Sequence, residues 1–74
     1  MERIMLLKAT MGVDSVGRII NTIRRGKVRL QEVMMWFKDD YVSMQIKLEG
    51  SENEIDWLYK KLFKLVDVNE VKVV

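Results

Sequence analysis

The sequence predicts an α+β sandwich: four strands and two helices in the order βαββαβ, with the strands in one antiparallel sheet. Three observations lead there. Tyr41 to Glu49 alternates strictly between apolar and polar residues, the period of a half-buried strand. Val16 to Arg25 and Glu52 to Leu65 instead space their apolar residues three or four apart, the period of an amphipathic helix. With 74 residues there is room for one domain, 1–74, and no more.

The first strand is Arg3 to Ala9. Ile4 and Leu6 point one way and Met5, Leu7 and Ala9 the other, so both faces are apolar. Such a strand belongs in the middle of a sheet. Gly12 ends it, and Asp14 or Ser15 is a good cap for the helix that follows. The loop Thr10-Met11-Gly12-Val13-Asp14-Ser15 is the one place near the N-terminus where backbone amides could converge on a small ligand.

The first helix runs from Val16 to Arg25, with Val16, Ile19, Ile20 and Ile23 on one face. Arg24 and Arg25 in the last turn suit the negative end of the helix dipole. Gly26 is read as the left-handed residue that stops the helix. Val28 to Phe37 is a second strand with a change of phase. Val28 and Leu30 share one face, but Val33, Met35 and Phe37 fall in the opposite phase. A β-bulge near Gln31-Glu32 reconciles the two, and bulges favour edges. Lys38-Asp39-Asp40 is a short hairpin connection into the third strand, Tyr41 to Glu49.

Gly50 breaks the pattern. Ser51-Glu52-Asn53-Glu54 then reads as a capping box. The second helix, about Glu52 to Leu65, carries Ile55, Leu58, Leu62 and Leu65 as its stripe, with Trp57, Lys60, Lys61 and Lys64 towards solvent. Asp67 ends it, and Val68 to Val74 is the last strand. Right-handed crossovers make this a ferredoxin-like βαββαβ sandwich. The first and third strands are central, and both helices lie on one face. The other face is bare, and large residues such as Met34 and Trp36 there suggest a partner.

Composition excludes much chemistry. The chain has no cysteine and no histidine, which removes thiol and disulfide chemistry, the usual zinc ligands and the commonest general base. No cofactor is expected. Asp39-Asp40 reads as a solvated hairpin pair, and Asp14 and Ser15 as helix caps; no catalytic residue is assigned. Gly12 and Gly17 lack the spacing of a phosphate-binding fingerprint. Arg24, Arg25, Lys27 and Arg29 form a basic cluster. An RNA-binding fold of this topology wants exposed aromatics on its central strands, where Ser43, Gln45 and Lys47 stand instead. The cluster is therefore read as solvated or partner-contacting. No apolar run reaches membrane-spanning length and no signal-peptide pattern opens the chain, so the cytoplasm is the expected location.

Leu62-Phe63-Lys64-Leu65-Val66-Asp67-Val68-Asn69-Glu70-Val71, with its KLVDV and a valine three residues on, carries a resemblance. Met1-Glu2-Arg3-Ile4 and Arg18-Ile19-Ile20 extend it. The chain resembles an ACT domain, specifically that of the regulatory small subunit of acetohydroxyacid synthase (acetolactate synthase). The resemblance implies a non-catalytic subunit in branched-chain amino-acid biosynthesis. It binds and activates a thiamine-diphosphate-dependent catalytic subunit and often confers feedback inhibition by valine. It also implies an effector site between two domains, formed by the first loop and the start of the second strand. On this chain those positions are Met11, Gly12, Asp14, Ser15 and Arg29. The family has asparagine, glycine and asparagine where Met11, Asp14 and Arg29 stand here. Asp14 brings a negative charge to the place where an effector carboxylate approaches, while Arg29 either supplies a guanidinium for that carboxylate or pairs with Asp14 and closes the site; weak or absent valine binding is expected.

The resemblance further implies either a short form of the small subunit or a free-standing ACT protein that senses a small amino acid. A nucleic-acid-binding domain using the basic cluster is the third reading. A homodimer is expected through the edge of the second strand, with Val33, Met34, Met35 and Trp36 as the partner interface.

Overall fold

Alternation along the two central strands fixes the layers. The computed structural model describes residues 1–10 and 12–74. It contains β1 (Glu2–Thr10), α1 (Val13–Arg25), β2 (Arg29–Phe37), β3 (Tyr41–Glu49), α2 (Glu52–Phe63) and β4 (Val68–Val73). The sheet order is β2-β3-β1-β4 and every pairing is antiparallel. This is the ferredoxin-like arrangement that the pattern predicts.

β1 and β3 run together without a register shift from Glu2↔Glu49 to Thr10↔Tyr41. Met5, Leu7 and Ala9 on β1 and Val42, Met44, Ile46 and Leu48 on β3 share one face and are buried. Ile19 and Ile23 of α1, and Ile55, Leu58 and Leu62 of α2, join them in a single core with Val71 of β4. Both helices therefore lie on that face. On the other face Leu6, Met34 and Trp36 are exposed.

The bulge in β2 falls at Gln31, where the register shifts between Leu30↔Leu48 and Glu32↔Lys47. Leu30, Val33, Met35 and Phe37 all lie opposite core residues of β3, so they point to the helix side. The helices do not reach over them: Val33 is half-buried and the other three are exposed, Phe37 by 61%.

Local details depart from expectation at three helix ends. α1 begins at Val13, three residues early, and its N-cap is Gly12 rather than Asp14 or Ser15. The Gly12 carbonyl accepts from the Val16 amide at 3.2 Å, which draws the first turn back to Gly12. No side chain caps it; Asp14 lies in the first turn and Ser15 is buried. Gly26 is not left-handed. Its backbone is extended (φ −75°, ψ 165°), and its amide donates to the Ile23 carbonyl as the chain runs straight on towards β2. α2 stops at Phe63, short of Leu65, because the chain tightens there: the Leu65 amide donates to the Leu62 carbonyl.

The capping box of α2 is present as read. Ser51 Oγ accepts from the Glu54 amide at 3.2 Å, and the Glu54 carboxylate accepts from the Ser51 amide at 2.9 Å. Among the described residues no helix is long and apolar enough to cross a membrane.

Two outcomes test this packing. Leu58 is fully buried, so Leu58→Ala should cost about 2–5 kcal/mol in urea unfolding, comparable to the whole stability of a small domain. The Glu54 carboxyl is held below the usual glutamate range, first by its hydrogen bond from the Ser51 backbone, then by the Ser51 side chain and the nearby Lys27 charge. A carboxyl pKa depressed by folding stabilises above the unfolded-state value, and that contribution is lost as pH falls through the folded-state value. The stability gap between wild type and Glu54→Gln should therefore be widest near neutral pH and close on acidification. A gap unchanged with pH would refute the assignment.

Candidate functional site

The first loop delivers the chain from the end of a central strand into α1. Gly12, Val13 and Val16 there face Phe37 at the far end of β2, and the four border an apolar cavity of about 310 Å³. Val13 is almost fully exposed, so the wall it makes is uncovered. The free amides of the first helical turn open at the same place. An anion at this point meets favourable amides and, one residue past Val13, the exposed carboxylate of Asp14.

The residues expected around an effector do not all meet within one chain. Gly12, Asp14 and Ser15 are together, but Ser15 is buried on the inner side of α1 rather than open to a ligand. Met11 lies outside the described residues. Arg29 begins β2 and pairs with Glu49 at 4.0 Å, at the opposite end of the sheet from Phe37. Eight strand rises separate those ends, about 27 Å. An intrachain Arg29–Asp14 pair is thus ruled out, because the β2 strand carries Arg29 away from the loop. Val16 and Phe37 are the residues sequence reading missed here; Val13 was named as part of the loop. The only hint of them was an aromatic residue ending an apolar edge strand.

Of the expected partner residues, Met34 and Trp36 project from the uncovered face of the sheet, beside Gln45 and Ser43 of β3. Val33 and Met35 project from the helix side of the same edge. One strand thus presents two separate apolar surfaces, with Trp36 45% and Met35 40% exposed. Among the described residues no three His, Cys, Asp or Glu side chains converge as metal ligands.

Arg18 and Asp67 join two distant stretches of chain. Arg18 Nε and Nη2 both lie 2.8 Å from Asp67 Oδ2. The bond ties the middle of α1 to the turn before β4. Asp67 is largely covered while Arg18 is half exposed, so screening limits the gain.

A family model described as an ACT domain matches residues 12–71. A comparison with curated proteins finds no match. Among solved structures, the ACT domain from GTP pyrophosphokinase of Chlorobium tepidum superposes with a TM-score of 0.89 at 14% identity, over 99% of this chain and 96% of that one. A homoserine dehydrogenase from Thiobacillus denitrificans gives 0.81 at 12% identity, over 99% of this chain and 16% of that one. Formyltetrahydrofolate deformylase from Burkholderia mallei gives 0.76 at 9% identity, over 100% of this chain and 27% of that one. At such identities the likeness speaks for the fold.

Arg18→Gln should lower stability by about 0.5–1 kcal/mol in dilute buffer and by less in 1 M salt. Denaturant titrations at the two ionic strengths check this; equal losses at both would show that the pair acts by packing alone.

Proposed function

Because the chain belongs to the ACT domain family, whose members are regulatory and non-catalytic, we propose that residues 1–74 act as one such domain, regulating acetohydroxyacid synthase. In this reading it binds and activates the thiamine-diphosphate-dependent catalytic subunit. The supporting observation is the bare sheet face with Trp36 and Met34 exposed on it. Large side chains of this kind, fixed on a rigid strand, favour contact with another protein. The stretches that carry the resemblance also meet in space, through Arg18 and Asp67.

ACT domains commonly dimerise, and the edge of β2 suits a two-fold pairing. Leu30, Val33, Met35 and Phe37 form an apolar shelf that the chain's own helices leave open. Antiparallel pairing of β2 with its copy about Val33 would set Phe37 opposite Arg29 of the partner subunit. That arrangement assembles the effector site from two chains: Gly12 and Asp14 from one, Arg29 from the other. A guanidinium there offsets part of the Asp14 repulsion towards a carboxylate. Asp14 still opposes the approach, and valine binds weakly or not at all.

A free-standing amino-acid sensor is the second reading, favoured by the apolar cavity beside the first turn of α1. A thermal-shift screen of amino acids separates the two. A ligand at a hundredfold over its dissociation constant adds about 2.7 kcal/mol.

The functional test is reconstitution with the purified catalytic subunit. Adding this chain should raise turnover, and Trp36→Asp should abolish the rise while leaving the dimer intact. Absence of binding and activation in both the assay and a native pull-down would sink the proposal. Met35→Glu should convert the dimer to a monomer in sedimentation analysis, since it places a charge on the shared edge. Calorimetry with valine should give no heat at micromolar concentrations; micromolar binding would overturn the reading of Asp14.

A further inference from the structure

A second cavity, of about 350 Å³, lies between the end of α1 and the first turns of α2. Arg25, Gly26, Lys27, Asn53, Glu54 and Trp57 line it. It lies at the opposite end of α1 from the first loop, and it stands independently of the proposed function.

Gly26 keeps this space open. Its extended backbone is one that any residue adopts, so chain conformation does not require a glycine. A Cβ there would lie 3.3 Å from the Ile23 carbonyl and 3.4 Å from Cζ3 of the Trp57 ring. The missing side chain leaves the six-membered ring of Trp57 bordering the cavity. Trp57 is 39% exposed, although it sits on a helix with solvent available to polar residues. Lys61 rides over the same ring at 5.6 Å, so the indole already engages a cation.

The charges are arranged asymmetrically. Among the described residues neither Arg25 nor Lys27 forms a salt bridge. Glu54 is the one acidic side chain in the lining, and its carboxylate is already engaged by the Ser51 amide. Lys27 acts on Glu54 only through space, without contact close enough for an ion pair.

We propose that this cavity binds a nucleotide unit, its base against Trp57 and its phosphate between Arg25 and Lys27. An aromatic wall and two cations suit a planar ring carrying a phosphate. A phosphate offers the two cations three oxygens and up to two negative charges, where a carboxylate offers two oxygens and one charge. Stacking of a base on an aromatic side chain contributes about 1–3 kcal/mol, and the volume is at the small end of ligand pockets. The unit has two sources, a free mononucleotide or one residue of a single strand.

The test uses the full chain with Trp36→Phe, so that Trp57 alone reports by fluorescence. Adenosine 5′-monophosphate should quench it saturably at or below about 1 mM. Arg25→Gln with Lys27→Gln should weaken binding by about tenfold or more, and Gly26→Val should block it. Arg24→Gln should leave it unchanged, since Arg24 bonds Asn21 outside the cavity. A short oligoadenylate binding much more tightly, with a steep salt dependence, would identify the strand as the source. Equal affinity for the two would identify the free nucleotide. No saturable quenching by either probe, or quenching untouched by the Arg25 and Lys27 changes, overturns the proposal. Circular dichroism confirms that each variant is folded; if Gly26→Val is not, the charge variants decide alone.

Discussion

The unbroken pairing of β1 with β3 is the constraint on which the rest depends. Its register puts Met5, Leu7 and Ala9 on the same side as Val42, Met44, Ile46 and Leu48. Seven apolar side chains from two adjacent strands make one continuous surface, and both helices must settle there to cover it. Settled there, and reaching Val71 of the edge strand β4, the helices leave the other edge strand, β2, uncovered. The shelf along β2 and the bare opposite face are consequences of that geometry, and they are where the molecule has surface to offer.

ACT domains, the family to which the chain belongs, are regulatory and non-catalytic. The Glu54 carboxyl is held below its ordinary range, and a helix cap explains it. Binding and geometry are left to carry the function. The same strand, β2, holds Met34 and Trp36 on one side and Val33 and Met35 on the other. A protein regulating another through contact benefits from that division, because self-association and partner contact then use different atoms.

Sequence reading recovered what repeats and missed what happens once. Alternation in β3, the phase change near Gln31 and the Ser51–Glu54 box each involve several residues that agree, and all are found in the fold. The start of α1 rests on one backbone hydrogen bond from Val16 to Gly12, which no side chain announces. Gly26 shows the converse error: a glycine after a helix suggests a left-handed stop, but here it leaves room beside Trp57. The candidate site was legible as a loop and not as a cavity. Phe37 reaches that loop only because the hairpin folds β2 back beside β3, a relation spread over many residues of chain.

The bulge at Gln31 has a consequence for how such a chain can change over time. Strand side chains swap sides with every step of one. Deleting Gln31 alone would leave regular pairing, with Leu30, Glu32 and Val33 still opposite Leu48, Lys47 and Ile46 and every remaining side chain on its present side. The same loss between Glu32 and Phe37 would instead turn over the residues on one side of it. The bulge is therefore a place where the strand can shorten by one residue with the tryptophan face and the methionine-phenylalanine shelf both kept.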